Sequence, residues 1–535
     1  MPTDCISYQN SGYFSPLMND YLDRKSNLQS LYNRFPNLEN FEAQIQEKKE
    51  NFNDNFNGDD KRKLLVSVLD KQYAKINASE STLNNIKLLN HSNTFTITTG
   101  HQLNLFSGPL YFLYKIISTI NLTQELKTKY PLQNFVPIYW MATEDHDFEE
   151  INYFNFKGRK FRWNTASTGP VGRLSTNGLD DFFEVYAKEL GSGKNADAIK
   201  KMFQEAYLKH SNLADATRFL ANTLFGEYGL VILDADNQDL KRSFIPYIQE
   251  ELTKQTSYKK VLETSEKLKN YSVQVNPREI NLFYLEDNLR ERIILENGIY
   301  KVNNTQLQFT ESEILGLLEN HPEKFSPNVI MRPLYQEVIL PNLCYIGGGG
   351  EIAYWLELKS FFDAMNVTFP ILLLRNSVLL ATEKQVAKAD KLGLSWSDLF
   401  SKRSQLINQK TSELSEFPID LSIQKDSLKD QFYFLQLLAQ KTDKSFVGAV
   451  KAQEAKQIKG LENLEKRLLK AQKRKYSETI QQITNLQNGL FPNQSLQERQ
   501  NNFSEFYNDN GSRFISELFN QLKPLENNFN IIILP

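Results

Sequence analysis

Residues 94–147 carry the pattern that most restricts the fold, because a helical stretch separates two apolar, strand-like runs. Residues 94–98 are β-branched and aromatic, which is typical of a strand. The apolar stretch 109–120 begins with a proline, which the first position of a helix tolerates, and it predicts a helix. The next run, 135–141, is again apolar. An uninterrupted apolar strand after a helix indicates a parallel sheet that is covered on both faces.

Short apolar runs further along the chain predict more strands, at 230–234, 281–285, 292–295, 343–346, 370–374 and 530–534. The second and third of these predict a hairpin that residues 300–302 continue. Helices are expected at 238–254 and 351–365. The last run, at the C-terminal end, is expected to rejoin the sheet. Strands that alternate with helices in this way predict the α/β fold class.

Three segments follow one another in the predicted organisation. Residues 1–379 would form the core, with connecting insertions at approximately 155–225 and 265–325. Residues 380–489 show little strand signal and repeat apolar residues at helical spacing. We therefore expect a coiled-coil-like arm of two or more long antiparallel helices there. Residues 490–535 would return to the core.

The charge balance limits the classes of partner. The 535 residues include 62 basic and 64 acidic side chains, which argues against non-specific nucleic-acid binding as the main activity. The basic run 466–475 is either a solvated helix face or a surface for an anion or a partner. We expect neither a signal peptide nor a membrane span, and hence a cytoplasmic protein. Two cysteines without a CxxC motif exclude a zinc ribbon and a disulfide framework.

The turn after the first strand is a candidate binding site, because α/β sheets bind ligands where a strand ends and a helix follows. It contains Gly100, His101, Gln102 and, further on, Gly108. Backbone N–H groups at such a turn favour anions. His101 could bond a phosphate or transfer a proton. Alternatively, the glycines only shape turns and His101 lies on the surface.

Residues 144–150 crowd several carboxylates and one imidazole directly after the second strand. Such a cluster suits proton transfer or a cation, and Asp145, His146 and Asp147 are the candidate catalytic residues. Alternatively, the acidic residues complement the first turn of a helix. Three successive positions are poorly spaced for one metal on a helix, so no metal ligand is predicted.

Four glycines, Gly347, Gly348, Gly349 and Gly350, separate another apolar strand from an aromatic helix that begins near Glu351. Glycines let a ligand approach the backbone closely, so contact with a ligand is expected. The pattern is not a dinucleotide fingerprint, and a flexible tight turn is the alternative interpretation.

Together these segments resemble the bacillithiol biosynthesis cysteine-adding enzymes. The resemblance is carried by TTGHQLNLFSGPLYFLYKI (98–116), VPIYWMATEDHDFEEIN (136–152), FSPNVIMRPLYQEVILPN (325–342) and GGGGEIAYW (347–355). GLVILDAD (229–236) and LFPNQSLQER (490–499) are also similar to family segments. The matching segments run in order through most of the chain.

The resemblance implies a Rossmann-like core of the nucleotidyl-transferase type and a C-terminal coiled-coil arm that pairs two subunits as a homodimer. The implied activity is a ligase reaction that joins L-cysteine through an amide to the glucosamine amine of glucosaminyl malate. An amide needs an activated carboxyl group, so ATP or another nucleotide is the expected cofactor. A metal requirement is left open, and no nucleic acid or membrane is expected as a partner.

The resemblance also implies roles for the candidate residues. The turn at residues 100–102 and the N-terminus of the next helix would hold a nucleotide or carboxylate. The acidic loop would position the incoming amine and accept its proton. The four-glycine loop and Glu351 would close around the ligand, and Lys115 and Arg332 could bind phosphate or the malate carboxylate. Relatives often carry Gln in place of His101, which implies hydrogen bonding for that residue.

Two other functions are consistent with the same residues. One is a nucleotidyl transferase that uses this core on another small molecule, and it would release pyrophosphate without needing cysteine. The other is a non-catalytic, nucleotide-binding coiled-coil scaffold, in which mutations in the glycine and acidic loops would have no effect.

Overall fold

Five strands form a parallel sheet at the centre of the protein, in a computed structural model that describes residues 3–54, 58–272 and 274–535. They are β1 (Thr94–His101), β2 (Asn134–Met141), β3 (Val231–Asp234), β4 (Asn342–Gly347) and β5 (Ile371–Leu374). Their order across the sheet is β5–β4–β1–β2–β3, and all neighbouring strands are parallel. The apolar runs predicted all five strands, and the α/β core is confirmed.

Helix α1 (Tyr111–Lys129) connects β1 to β2 and packs against both strands. It begins just after Pro109, as predicted, but extends well beyond residue 120. Side chains of the sheet belong to two separate buried clusters. Phe95 and Ile97 contribute to one, and Val136 and Ile138 to the other. The sheet is therefore covered on both faces, which explains why its strands are apolar throughout.

Helices fill the connections between the strands. Two matter most for the site, α2 (Met331–Ile339) before β4 and α3 (Gly349–Leu356) after it. The helix predicted at 238–254 is divided in two, as is the one predicted at 351–365. The other α-helices up to residue 364 are Tyr8–Ser11, Pro16–Leu22, Asn40–Lys48, Gly58–Tyr73, Glu80–Leu88, Phe148–Ile151, Leu179–Leu190, Lys194–Phe203, Leu213–Phe225, Gln238–Arg242, Ile245–Lys254, Thr256–Lys267, Glu311–Asn320 and Lys359–Ala364.

The last strand, Asn528–Leu534, does not rejoin the central sheet, so that expectation was wrong. It lies in the middle of a separate three-stranded sheet, parallel to Ser377–Thr382 and antiparallel to Thr3–Ser7. Its apolar sequence predicted a strand correctly. The choice of partner strands depends on contacts with residues more than 140 positions away, for which the local sequence carries no signal.

The predicted hairpin is confirmed and is part of a larger antiparallel sheet. Its strands are, in spatial order, Gln308–Phe309, Ile299–Val302, Leu289–Glu296, Leu282–Glu286 and Phe325–Pro327. A further two-stranded hairpin, Tyr153–Phe156 with Arg159–Arg162, follows the acidic loop. Both lie in chain connections between strands of the central sheet.

A long helical hairpin forms the arm. Helices α4 (Ser422–Ala439) and α5 (Lys444–Lys475) pack against each other across a short turn. Their shared buried residues are few: Phe432, Ala439 and Val450. Other α-helices after residue 380 are Glu383–Lys391, Trp396–Phe400, Arg403–Leu414, Ser477–Leu490, Gln497–Gln500, Phe503–Asn510 and Arg513–Gln521. Among the described residues, no helix combines the length and apolarity needed to cross a membrane.

Candidate active site

A cavity of about 950 Å³ opens where β1, β2 and β4 end. The carboxyl ends of parallel strands meet at one edge of a sheet, so turns far apart in the sequence converge there. This edge brings together most of the residues that the sequence singled out. Those that line the cavity are Gly100, His101, Gln102, Lys115, Asp145, His146, Asp147, Arg332, Gly348, Gly350 and Glu351.

Three of the predicted glycines, Gly108, Gly347 and Gly349, do not line the cavity. A Cβ on Gly347 would lie 3.0 Å from the Cβ of Glu351. A Cβ on Gly349 would lie 3.4 Å from the Cγ of Met18. These two positions therefore pack against protein. Gly350 is more open, since a Cβ there would lie 4.0 Å from its nearest neighbour, and Gly348 lines the cavity although a Cβ there would lie 3.4 Å from Oε2 of Glu351.

Gly108 shapes a strained loop behind the site. Phe106, Ser107 and Gly108 all have positive φ angles, of 48°, 66° and 61°. Side chains rarely adopt this conformation, so neighbouring contacts must hold it. The side-chain amide of Asn502 donates to the carbonyls of Phe106 and Gly108, at 2.8 and 2.6 Å. The segment that returns from the arm thus stabilises this loop.

Asp145 is held on both of its carboxylate oxygens. Its Oδ2 accepts a hydrogen bond of 2.8 Å from Nε2 of Gln102, and its Oδ1 accepts one of 2.8 Å from the backbone N–H of His146. Gln102, predicted to bind a ligand, therefore also links the first loop to the acidic loop. These bonds make Asp145 a positioning group in the acidic loop, because one lone pair on each of its oxygens is engaged.

His146 faces a cation. Its Nδ1 lies 2.6 Å from Nη1 of Arg290, which sits on the antiparallel sheet. A guanidinium can only donate, so Nδ1 accepts and a neutral ring carries its proton on Nε2. The same arginine lies 4.0 Å above the Phe283 ring and is buried. Burial lowers the pKa of Arg290, while the charges of Asp145, Glu144 and Asp147 oppose that shift.

Asp147 has the most exposed side chain of the three candidates, at 55%. Its Oδ1 lies 3.9 Å from Nε2 of His146. The loop is not helical at Asp145 and His146, so the argument that successive positions on a helix are poorly spaced for one cation does not apply. One ligand atom from each of the three residues lies within 4.8 Å of the other two. The Arg290 contact opposes a cation there, because it occupies the Nδ1 lone pair and adds a positive charge.

A buried ionic network anchors the acidic loop from below. Lys241 pairs with Glu144 and, at 3.3 Å, with Asp236. Arg173 also pairs with Asp236, at 2.8 Å. Burial would raise the pKa of Asp236, but the positive charges of Lys241 and Arg173 lower it overall. Burial raises the pKa of Glu144 despite Lys241. Asp236 belongs to the segment 229–236 that carried part of the family resemblance.

Lys115 and Glu351 form an ion pair of 2.6 Å at the centre of the site. The Lys115 ammonium also donates to the carbonyl of Gly100 at 2.7 Å. Glu351 accepts from the backbone N–H of Gly348 and from the hydroxyl of Tyr345. Burial disfavours both charges. For Lys115 this effect is the larger one, and burial lowers the pKa. For Glu351 the attraction of the Lys115 ammonium outweighs burial, and the pKa is lowered. Both side chains thus brace β1 against the N-terminus of α3.

His101 lies deep in the cavity wall and is 8% exposed. Its ring packs against the rings of Tyr111 and Phe112, with centroids 5.3 and 5.1 Å away. Burial lowers its pKa well below the usual range, and the charges of Lys115 and Arg375 add to that effect. Its Nε2 has no hydrogen-bond partner among the described residues. A neutral imidazole with a free nitrogen is suited to hydrogen bonding, as the resemblance implied.

Arg332, on α2, is surrounded by aromatic rings. Its guanidinium carbon lies 5.7, 5.6 and 5.9 Å from the ring centroids of Trp140, Tyr345 and Trp355. Its Nη1 donates to Gln336 at 3.1 Å. Cation–π contacts and this bond orient the side chain, which still reaches the cavity.

Sequence reasoning missed most of the cations in the site. Seven cationic side chains and five carboxylates line the cavity. The cations are Lys115, Arg278, Arg290, Arg292, Arg332, Arg375 and Arg499. Arg278, Arg290 and Arg292 belong to a connecting insertion and have no local motif. Arg499 could have been found, because it is the last residue of the family segment 490–499.

Arg375, at the end of β5, is clamped by a residue from the segment after the arm. Its Nη2 donates to Oε1 of Glu498 at 2.7 Å and its Nη1 to Oε2 at 3.1 Å. Both side chains are buried. The Nε of Arg375 is also buried but has no partner among the described residues. The clamp leaves that N–H available near Gly348.

Comparisons with known proteins cover nearly the whole chain. Residues 1–376 match the family model described as bacillithiol biosynthesis BshC, N-terminal Rossmann-like domain. Residues 378–534 match the model of the C-terminal coiled-coil domain of the same family.

Curated relatives agree with these models. A protein of Flavobacterium johnsoniae named "Putative cysteine ligase BshC" is 70% identical over 100% of both chains. Proteins of the same name from Flavobacterium psychrophilum and Bacillus cereus are 65% and 27% identical, over 99% and 96% of this chain and 99% and 95% of theirs. With matches of this extent to both family models and to full-length relatives, the chain belongs to the BshC family of bacillithiol biosynthesis.

Proposed function

We propose that this protein joins the carboxyl group of L-cysteine to the amine of glucosaminyl malate, the last step of bacillithiol synthesis. One observation carries the proposal. A single cavity holds both an acidic loop suited to an amine and an excess of cations suited to phosphates and carboxylates. The name cysteine ligase, given to the relatives, supports the choice of cysteine.

A nucleotide that activates the cysteine carboxyl group fits one end of the cavity. Two buried nitrogen atoms of the cavity lining, Nε of Arg375 and Nε2 of His101, have no hydrogen-bond partner among the described residues. The guanidinium of Arg499, which also lines the cavity, has no hydrogen bond or ion pair with a described residue. A Cβ on Gly348 would lie 3.8 Å from Nε of Arg375, so the glycine leaves that N–H accessible. The Nε–H of Arg375 is a donor, and Nε2 of His101 donates in the tautomer that is protonated there; buried donors are costly unless a ligand satisfies them, and phosphate oxygens would do so.

The acidic loop serves the acceptor amine in this proposal. The ammonium form is attracted by the carboxylates, but only the neutral amine attacks an acyl carbon. Asp147 accepts the proton, because its side chain is more exposed than that of Asp145 and forms no hydrogen bond with a described residue. The new bond joins the amine nitrogen to the cysteine carbonyl carbon. The bond from that carbon to the phosphate oxygen breaks, and the nucleoside monophosphate leaves with the electron pair.

The arm provides the homodimer contact in the proposed assembly. Apolar side chains on α4 and α5 face water in the single chain: Ile423, Tyr433, Phe434, Leu435, Leu437, Leu438, Phe446 and Leu464. Large apolar side chains that are exposed in this number on one helical hairpin indicate an interaction site. Three of them, Leu435, Leu438 and Leu464, lie at the helical spacing of apolar residues that predicted the arm. We place the protein in the cytoplasm, where cysteine and nucleotides are available.

The purified protein incubated with L-cysteine, glucosaminyl malate and ATP tests this function. We expect the amide-linked thiol, with AMP and pyrophosphate in equal amounts, detected by mass spectrometry. Formation of ADP and phosphate would replace the adenylate route by an acyl phosphate. Pyrophosphate release that needs no cysteine would support a nucleotidyl transferase instead. If the thiol product forms without any nucleotide in the reaction, the proposed activation of cysteine by a nucleotide is wrong.

A cellular experiment tests the substrate. Deleting the gene should remove bacillithiol and cause glucosaminyl malate to accumulate, and restoring the gene should reverse both changes. Unchanged thiol levels would contradict the proposed function.

A further inference from the structure

Two arginines of the cavity lining are candidates for binding an anion. Arg278 and Arg292 line the cavity, and neither guanidinium has a hydrogen bond or ion pair with a described residue. Lys115 and Arg290, by contrast, are engaged by Glu351 and His146. An engaged cation has less capacity for a ligand than one without a described partner, so Arg278 and Arg292 are better suited to a further anion than Lys115 and Arg290 are.

The same arginines also line an adjoining cavity of about 250 Å³. Its apolar lining includes Ile293 and Ile294, and Glu279 is its carboxylate. A small recess with two cations and apolar walls can take a short, branched anion. It adjoins the large cavity, because Arg278, Ile280 and Arg292 line both.

The backbone that carries these arginines is fixed. The side chain of Asn281, itself buried, accepts from the backbone N–H of Arg278 at 3.0 Å and donates to its carbonyl at 2.8 Å. Arg292 lies on the strand Leu289–Glu296, opposite Phe283. Arg278 is exposed and lies in an irregular segment, but Asn281 holds its backbone, whereas Arg292 projects from a strand. A backbone held in this way reduces the entropy lost when the side chains bind a ligand.

The position of Arg292 relative to the acidic loop is set by its neighbour on the strand, Arg290. It lies two residues after Arg290 on one strand, so both side chains point to the same face. Arg290 contacts His146 of the acidic loop. Positions two apart on a strand are separated by about 7 Å, a distance that one sugar ring spans. A sugar with its amine at the acidic loop would place its aglycone near Arg292.

We propose that Arg278 and Arg292 form a dicarboxylate subsite that binds the malyl group of the acceptor sugar. The inference rests on the proposed function and names the group that distinguishes this acceptor from other amino sugars. Guanidinium groups bind carboxylates through paired, charge-assisted hydrogen bonds, so two arginines match two carboxylates. The subsite sets specificity without taking part in the amide-forming step.

Calorimetric titration of the full-length protein tests the subsite independently of turnover. The probes are glucosaminyl malate, L-malate and methyl glucosaminide, which lacks both carboxylates. We expect Arg278→Gln and Arg292→Gln each to weaken the binding of glucosaminyl malate by about tenfold or more, since each removes charge-assisted bonds. Methyl glucosaminide should bind all variants equally. The exposed, unpaired Arg242, outside the cavity, gives the matched control Arg242→Gln.

The outcomes separate this inference from the proposed function. Unchanged binding of glucosaminyl malate by both variants, or no binding of it by the wild type, overturns the subsite. Binding of free L-malate alone would show a dicarboxylate site unrelated to the sugar acceptor and would also overturn it. A wild type that binds glucosaminyl malate through these arginines but forms no thiol product would overturn the proposed function and leave the subsite standing.

Discussion

The guanidinium of Arg375 and the carboxylate of Glu498 form a buried, two-pronged ion pair with hydrogen bonds of 2.7 and 3.1 Å. Arg375 directly follows β5 of the core, and Glu498 follows the arm. The pair therefore fastens the returning segment to the cavity wall, next to Arg499. Among the described residues nothing pairs with the Nε of Arg375, which is the state that the proposed nucleotide site requires.

Glu498→Ala should lower the free energy of unfolding by about 3–5 kcal/mol, because it leaves the Arg375 charge buried without a partner. It also removes the acceptor for the backbone N–H of Val378. Urea denaturation measures the loss. Glu296→Ala is the control, since it breaks the exposed pair with Lys301 and should change stability by less than about 1 kcal/mol. Equal effects of both substitutions would refute the stabilising role of the buried pair.

Asp147→Asn should lower kcat for thiol formation by about 100-fold or more, because it removes the proton acceptor. The KM for each substrate should change little, since the variant keeps the shape of the side chain. Steady-state kinetics with product detection by mass spectrometry measures both constants.

The control for this prediction is Glu149→Gln, two residues further along and outside the cavity lining. It should retain kcat within about twofold, because Glu149 pairs with Arg162 on the surface. A normal kcat in Asp147→Asn, with a large loss in Asp145→Asn, would assign proton transfer to Asp145 instead.

Glu357 makes stability depend on pH. Its carboxylate accepts from the backbone N–H of Gln274, a cavity-lining residue, and burial raises its pKa to about 7. The folded protein therefore holds a proton between the unfolded pKa near 4.5 and pH 7. Stability from this group is greatest below that window and falls as pH rises through it.

Glu357→Gln should remove this pH dependence. Relative to the variant, the wild type should lose about 2 kcal/mol of stability between pH 5 and pH 8. Urea denaturation at both pH values gives the difference, and any constant effect of the substitution cancels. The exposed Glu319→Gln should not reproduce the trend. A pH-independent difference between wild type and Glu357→Gln would contradict a protonated Glu357.

The arm should hold two chains together through its exposed apolar side chains. Phe434 is 69% exposed and Ile423 is 82% exposed in the single chain. Phe434→Glu and Ile423→Glu should reduce the mass in solution from twice 62.1 kDa to that of one chain, because burying a carboxylate in an interface is costly. Light scattering coupled to size-exclusion chromatography measures the mass.

Leu132→Glu is the matched control for the dimer. Leu132 is 83% exposed but lies on the core, before β2. It should leave the mass unchanged. A wild type that has the mass of one chain would show that the arm does not pair subunits.

The sequence predicted most of the loops that form the site, but fewer of the contacts between their side chains. The turns at Gly100, Asp145 and Gly348 were identified because each follows an apolar strand, and parallel strands end at one edge of a sheet. Lys115 and Glu351 were named as ligand-binding residues, whereas the structure pairs them with each other at 2.6 Å. Their spacing in sequence, 236 positions, contains no information about that contact.

The sequence by itself determined the five strands of the central sheet, the hairpin and the helical arm, because apolar runs, periodicity and turn residues are local signals. It also determined family membership through long matching segments. It did not predict the strands Thr3–Ser7 and Ser377–Thr382, nor the division of two helices. Only the tertiary structure decided which side chains meet. Arg290 takes the lone pair of His146, Glu498 clamps Arg375, and the last strand joins a second sheet. Each of these depends on packing between distant segments, where burial and charge pairing, rather than local propensity, determine the energy.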